Sequence, residues 1–257
     1  MKVICNTISL RKMDISDLIP TLGKLEIKDL ELHADFLLDK SIDYKKFNKD
    51  LNKYNIKIYV FSGGWCNFLT KDISENIESM QKQIDIMKKI NCNKIRIFLG
   101  QMKNEDYTEE AGNKAVKDLT TLSKTFPKIT FLMENENGVN SNPDILYSIM
   151  SRVNKPNILL NYDFANMEAV GYNSFSNFKK LKDFVGHIHI KGILNKKDRK
   201  YCEYGKGILD YTEIFNYLKE IDYNKLISSE YEGDGNKLEG LKNCFFNLKK
   251  DIEKLNS

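Results

Sequence analysis

Ile158-Leu-Leu-Asn-Tyr-Asp163 is a short apolar run that stops at a carboxylate, and the chain repeats this design. Upstream, Ile129-Thr-Phe-Leu-Met-Glu134 ends at a glutamate; downstream, His187-Ile-His-Ile-Lys191 and Leu226-Ile-Ser-Ser-Glu-Tyr231 carry His189 and Glu230. Short runs of this kind, several rich in β-branched residues, read as buried strands. Further runs at Val3–Ser9, Asp29–Ala34, Ile56–Ser62 and Lys94–Leu99 bring the number to eight, each followed by a stretch of helical length rich in Lys and Glu or amphipathic. Eight is the number at which a parallel sheet closes on itself. The expected fold is therefore α/β, a single (β/α)8 TIM barrel in one domain over residues 1–257.

The helices carry start signals. Asp72 with Glu75 and Asp210 with Glu213 have the spacing of a capping box, and Asn142 precedes Pro143, a proline placed for the first helical position. Between Asn76 and Ile90, residues Ile77, Met80, Ile84, Met87 and Ile90 line one helical face. No linker rich in Ser, Gly or Pro interrupts the pattern; Pro20 falls inside the first helix. The one strongly charged loop, Asn195–Lys200, follows the seventh strand, and reads either as a solvated loop or as a lid for an anion.

Composition excludes several classes. The 257 residues include 40 Lys plus Arg against 36 Asp plus Glu, a formal charge of +4. Only Arg11, Arg96, Arg152 and Arg199 are arginines, which argues against a nucleic-acid partner. The five cysteines are odd in number, widely spaced and free of CxxC pairs, so neither a disulfide framework nor a zinc knot is expected. With no long apolar run and no secretory leader, the expectation is a cytoplasmic protein without a membrane partner.

In a closed barrel the carboxyl ends of the strands converge on one mouth. Glu134, Asp163, His189 and Glu230 stand at or near the ends of four successive strands. Three carboxylates buried together are costly, and one divalent ion would offset two of their charges. Oxygen-rich ligation with a single imidazole points to Mn²⁺, with Mg²⁺, Co²⁺ and Zn²⁺ as the other ions such a set accepts. Lys191 shares the side of His189 by the period-two rule, placed either to contact substrate or to pair with a carboxylate. His187, one step deeper, reads as a core histidine.

Met133-Glu-Asn-Glu-Asn-Gly138, Tyr162-Asp-Phe-Ala-Asn-Met167, His187-Ile-His-Ile-Lys191, Tyr204-Gly-Lys-Gly-Ile-Leu-Asp-Tyr211 and Ser229-Glu-Tyr-Glu-Gly233 resemble the strand-end signatures of the xylose-isomerase-like sugar phosphate isomerase/epimerase superfamily. The resemblance runs from Glu31-Leu-His33 to the last helix. It implies a TIM barrel with one divalent metal held by Glu134, Asp163, His189 and Glu230. It further implies that Glu134 and Glu230 act as the acid–base pair on opposite faces of a sugar or sugar-phosphate hydroxy-ketone, through a metal-stabilised enediolate. This chain departs from the family pattern in having Asn166 where a histidine is common, Glu136 where Glu-Asn-His is common, and Gly192 where His-x-Lys-Asp is common.

The remaining expectations concern substrate contacts. Asn166, His33 at the end of the second strand and Arg96 inside the fourth are candidates, Arg96 requiring a partner such as Glu134 or Glu31. Trp65 is expected to form an apolar wall against a sugar ring, and Glu232 to stand behind Glu230. Lys196, Lys197, Arg199 and Lys206 read either as a phosphate-holding group or as the lysines that a lysine-rich chain places near any loop. A small-molecule carbohydrate substrate is the expected partner, with homo-oligomers also expected because barrels of this kind often associate. Alternatives are a dehydratase of a cyclic polyol or keto acid on the same metal site, or a non-catalytic sugar- or metal-binding relative. An endonuclease on the same barrel would need more than three histidines.

Overall fold

The computed structural model describes residues 1–196 and 198–256. Lys197, one of the candidate phosphate-holding residues, lies outside the described residues. Eight strands hydrogen-bond in the order β1-β10-β7-β6-β5-β4-β3-β2 and close into a barrel. In chain order the elements are β1 Lys2–Asn6, α1 Ile15–Lys24, β2 Asp29–His33, α2 Tyr44–Tyr54, β3 Lys57–Ser62, α3 Ile73–Lys89, β4 Lys94–Ile97, α4 Glu109–Thr125, β5 Thr130–Glu134, α5 Pro143–Val153, β6 Ile158–Asp163, α6 Phe164–Ala169, α7 Ser174–Leu181, β7 Val185–Ile190, β8 Gly192–Asn195, β9 Lys200–Cys202, α8 Tyr211–Glu220, β10 Leu226–Ser229 and α9 Lys237–Asn256. Every expected strand is present, and most end one to three residues early. β1 stops at Asn6 because Ile8–Leu10 turns into a 3-10 helix, and β10 stops at Ser229, which places Glu230 just beyond the strand.

By contact density the chain divides into two units, Met1–Tyr59 with Ile188–Ser257, and Val60–His187, with both divisions inside barrel strands. In the first unit, β1 runs parallel to β2 and β10, with Cys5 opposite both Leu30 and Ser229. Helix α1 is capped by the Asp14 carboxylate and buries Leu18, Ile19 and Leu22. Tyr54 of α2 packs so closely on Gly23 that a Cβ there would lie 2.3 Å from its ring. In the second unit, β3, β4, β5 and β6 run parallel, with Arg96 opposite Leu132 and Glu134 opposite Asn161. Helices α4 and α5 cover it through Ala115, Leu119, Leu122, Leu146, Ile149 and Val153. Tyr162, Phe164 and Phe178 form a buried aromatic cluster with ring centroids 4.9–5.2 Å apart, locked by the Tyr162 hydroxyl donating to the Ser174 carbonyl at 2.6 Å.

The expected caps form with one adjustment. Asp72 and Asp210 accept from the amides of Ser74 and Thr212, and Asn142 accepts from Asp144 and Ile145 with Pro143 in the first turn. Among the described residues the reciprocal half of the box is made neither at Asp72, where Glu75 instead pairs with Lys71 at 3.4 Å, nor at Asp210. On either side of the charged stretch β8 and β9 pair antiparallel, Gly192 opposite Cys202, a feature the sequence reading missed. No helix among the described residues is long and apolar enough to cross a membrane.

Candidate metal centre

Backbone pairing places the first group of side chains. The amide of Glu230 donates to the Ile190 carbonyl at 3.0 Å, which carries the ladder one residue past β10 and turns the Glu230 carboxylate inward. Thr7 performs the same service for β2: its amide and hydroxyl both donate to the Glu31 carbonyl, and its hydroxyl accepts from the His33 amide. Glu31 and His189 are fully buried. Both carboxylate oxygens of Glu31 lie 3.0 Å from His189 Nε2, and His189 Nδ1 lies 3.6 Å from Glu230 Oε2. A carboxylate facing Nε2 favours the tautomer protonated there, which leaves the Nδ1 lone pair for an ion.

Glu230 sits in a basic cradle. Asn6 Nδ2 donates to its Oε1 at 2.9 Å and Lys191 Nζ to its Oε2 at 2.9 Å, while Lys191 also bonds Glu232. Burial pushes the Glu230 carboxyl up, but the Lys191 ammonium, joined by His189 where that ring is protonated, outweighs it and holds the group well below the usual carboxylate range. The Lys191 main chain is fixed by the Tyr211 hydroxyl, 2.7 Å from its carbonyl.

The second group lies on β4, β5 and β6. Glu134 Oε2 is 3.2 Å from Arg96 Nε, both side chains buried. The guanidinium stacks 4.4 Å from the Phe98 ring centroid, and Phe98 packs at 5.0 Å against Trp65. Gly64, at φ +81°, makes this approach because a Cβ would lie 2.6 Å from the Arg96 carbonyl. Asp163 is held twice by Asn135, whose Oδ1 accepts from the Asp163 amide at 2.7 Å and whose Nδ2 donates to the Asp163 carbonyl at 2.8 Å. Its own Oδ1 accepts from the Asn166 amide and caps α6.

Glu134, Asp163, His189 and Glu230 each offer one ligand atom, and these atoms all lie within 4.8 Å of one another with all four residues buried. The donor set fits a dication. Three buried carboxylates and one buried imidazole are the hard-oxygen and nitrogen donors that a divalent ion accepts. Glu31, His187 and His189 form a second, overlapping group.

The expected substrate contacts divide. Arg96 has Glu134 as its partner, one of the two the sequence reading named. Lys191 forms ion pairs, and Glu232 joins it. Trp65 is 67% exposed, with one face on Phe98. The Asn166 side chain donates to the Asn135 carbonyl at 3.0 Å and braces the Asp163 loop. His33 caps the 3-10 turn Ala34–Phe36, its Nδ1 accepting from the Asp35 amide at 3.3 Å. Gly192 has a steric reason: a Cβ would lie 2.3 Å from the Glu203 carbonyl across the β8–β9 hairpin. Asn6 and Asn135 were missed, and Glu31 was named as a possible partner of Arg96 but not of His189. Glu31 had a signal, an acid at an inward position of an apolar strand; the two asparagines had none.

Glu31→Gln is expected to weaken Mn²⁺ binding by about 10–100-fold, the usual cost of losing a carboxylate behind a histidine ligand. Titration of free Mn²⁺ by electron paramagnetic resonance checks this; wild-type affinity would show that Glu31 does not orient His189.

Residues 25–251 match the family model of the xylose isomerase-like TIM barrel. The chain is 24% identical over 250 residues to a 3-dehydroshikimate dehydratase of Bacillus anthracis, covering 87% of this chain and 89% of that one. Among solved structures it resembles the IolI protein with a bound zinc atom (TM-score 0.82, 17% identity, 99% of each chain covered). It also resembles an L-ribulose 3-epimerase (TM-score 0.78, 14% identity, 94% of this chain and 90% of that one). The match to the family model spans most of the sequence, and the chain belongs to the family of xylose isomerase-like TIM barrels.

Proposed function

We propose that this protein is a divalent-metal-dependent isomerase or epimerase that removes the proton α to the carbonyl of a sugar or sugar-phosphate hydroxy-ketone. The observation that carries this reading is the convergence of four buried ligand atoms from Glu134, Asp163, His189 and Glu230 within 4.8 Å. A bound divalent ion, Mn²⁺ by the donor set, supplies Lewis-acid polarisation of the substrate carbonyl and of its neighbouring hydroxyl.

The chain's own residues do the rest. Asp163, fixed by Asn135 at two points, and His189, backed by Glu31, are rigid and serve to hold the ion. Glu230 and Glu134 carry the protons, one on each face of the reacting carbon. Glu230 is kept ionised by Lys191, as a base must be at neutral pH. Lys191 lies close enough to Glu230 to place positive charge beside a developing enediolate. Phe98 and Trp65 offer an apolar wall leading to Arg96 and Glu134.

A dehydratase is the second reading, favoured by the relative from Bacillus anthracis that spans 87% of this chain. It begins with the same proton abstraction and continues with loss of a β-hydroxyl, so product analysis separates the two. We also propose a reducing, cytoplasmic setting, which five cysteines present as thiols support; burial pushes the Cys66 and Cys244 thiols up to about 12 and keeps them unreactive.

The test is elemental analysis after incubation with Mn²⁺, Co²⁺, Mg²⁺ or Zn²⁺ and desalting, followed by solvent deuterium uptake into ketoses. About one ion per chain is expected, with deuterium at the carbon next to the carbonyl. No retained ion under any condition would overturn the proposal.

A further inference from the structure

Beside Glu230 the first unit holds a cavity of about 520 Å³. Local structure explains where it lies. Asn6 donates to Glu230 Oε1 at 2.9 Å and accepts from the Ile8 amide at 2.9 Å, so the loop that leaves β1 is anchored to that carboxylate. The segment that leaves β10 begins at Glu230 itself, and β1 and β10 are paired neighbours. These two segments form the cavity walls, and the charged residues on them are Arg11, Lys12, Glu232 and Lys237.

The charge there is one-sided. The single carboxylate, Glu232, is already paired with Lys191. Lys237 donates to the Gly233 carbonyl and lies 5.8 Å from the Tyr231 ring centroid. Arg11 and Lys12 form no ion pair among the described residues. An anion in this cavity gains charge-assisted hydrogen bonds from a planar guanidinium and two ammonium groups, whereas a neutral hydroxyl gains far less. Lysines are spread over the whole surface, but Arg11 is one of only four arginines, and it stands in the concave wall formed by the loop that Asn6 ties to Glu230.

We propose that this cavity binds an anionic group, a carboxylate or a phosphate, at the end of the substrate whose hydroxy-ketone reacts at Glu134 and Glu230. This rests on the function proposed above and adds that the substrate is an acid or a phosphoester in place of a neutral sugar. The loops after β1 and β10 then measure the distance between the reacting carbon and the charged end.

The experiment compares three hydroxy-ketones by titration calorimetry on the Mn²⁺-loaded protein: neutral dihydroxyacetone, the carboxylate hydroxypyruvate and dihydroxyacetone phosphate. At least one anionic compound is expected to bind about tenfold or more tightly than the neutral one. Arg11→Ala/Lys12→Ala should erase that difference while Mn²⁺ stoichiometry stays as in the wild type. Lys45→Ala/Lys46→Ala, which removes the same charge from α2, should keep the preference. A preference for hydroxypyruvate assigns the site to a keto acid, and one for the phosphate to a phosphoester. Equal affinities, or a preference that survives Arg11→Ala/Lys12→Ala, overturn the subsite even when the ion binds. Failure of the wild type to hold Mn²⁺ overturns the proposed function instead; the cavity is then judged by inorganic phosphate titrated into metal-free protein, which Arg11→Ala/Lys12→Ala must weaken for the site to stand.

Discussion

Glu230→Gln is expected to slow deuterium incorporation at the substrate carbon by about 10²–10⁴-fold, the contribution of a positioned general base. The fold should persist, because the neighbours of Glu230 keep other contacts. Asn6 can donate to the amide oxygen as it does to the carboxylate, Lys191 retains Glu232, and His189 retains Glu31. A second readout separates chemistry from structure. The folded-state pKa of Glu230 is depressed, so its ion pairs contribute stability above the unfolded glutamate pKa of about 4.3 and lose it as pH falls below that value. In Glu230→Gln this part of the acid destabilisation should be missing, so melting temperature should fall less steeply between neutral pH and pH 3 than in the wild type. Full exchange activity in the variant would remove Glu230 from the proton-transfer role.

Arg96→Met is expected to show the largest effect on stability, and that effect should depend on metal. The guanidinium stands 3.2 Å from a Glu134 carboxylate that is almost wholly buried. Removing one partner of such a pair costs about 3–5 kcal/mol, because it leaves a buried charge uncompensated. If Glu134 is also a metal ligand, a bound dication supplies the missing positive charge. Ion at 100 times its dissociation constant adds about 2.7 kcal/mol by mass action alone. The urea midpoint of Arg96→Met should therefore fall sharply in the presence of a chelator and recover markedly in Mn²⁺. Arg96→Lys should not restore wild-type behaviour fully, since it keeps the charge but loses the flat group stacked on Phe98. Equal destabilisation with and without Mn²⁺ would show that Glu134 does not face the ion.

The legible part of this molecule is what short-range order controls. Strand periodicity and cap chemistry act within a few residues, so Asp72, Asn142 and Asp210 announce their helices and Glu134 and Asp163 announce their strand ends. The two-residue alternation also anticipates that Lys191, one residue past the end of β7, meets Glu230 on the same side as His189 of that strand. Even Gly192, which reads as a departure from the family pattern, has a local cause in the hairpin that follows it. That hairpin was hidden because its second strand is only three residues long and the stretch before it is a run of charge.

The support behind the site was not legible. His189 meets Glu31 across 158 positions of sequence, and Glu230 meets Asn6 across 224. No periodicity links such residues. They meet because closing the barrel lays β1 against both β2 and β10. Lys191 shows the same limit: its side of the strand was readable, but its choice of Glu230 and Glu232 over a substrate depended on where another strand ended. The cavity lined by Arg11 and Lys237 likewise joins two loops that are neighbours only once the first and last strands pair. Amino-acid order alone thus determined the eight-strand cadence, the caps and the identity of the four candidate ligands, because each depends on local backbone preference and on alternation along one strand. Tertiary structure alone decided the partners of those ligands and the lowered pKa of Glu230, because they depend on distances between residues far apart in the sequence that only folding brings together.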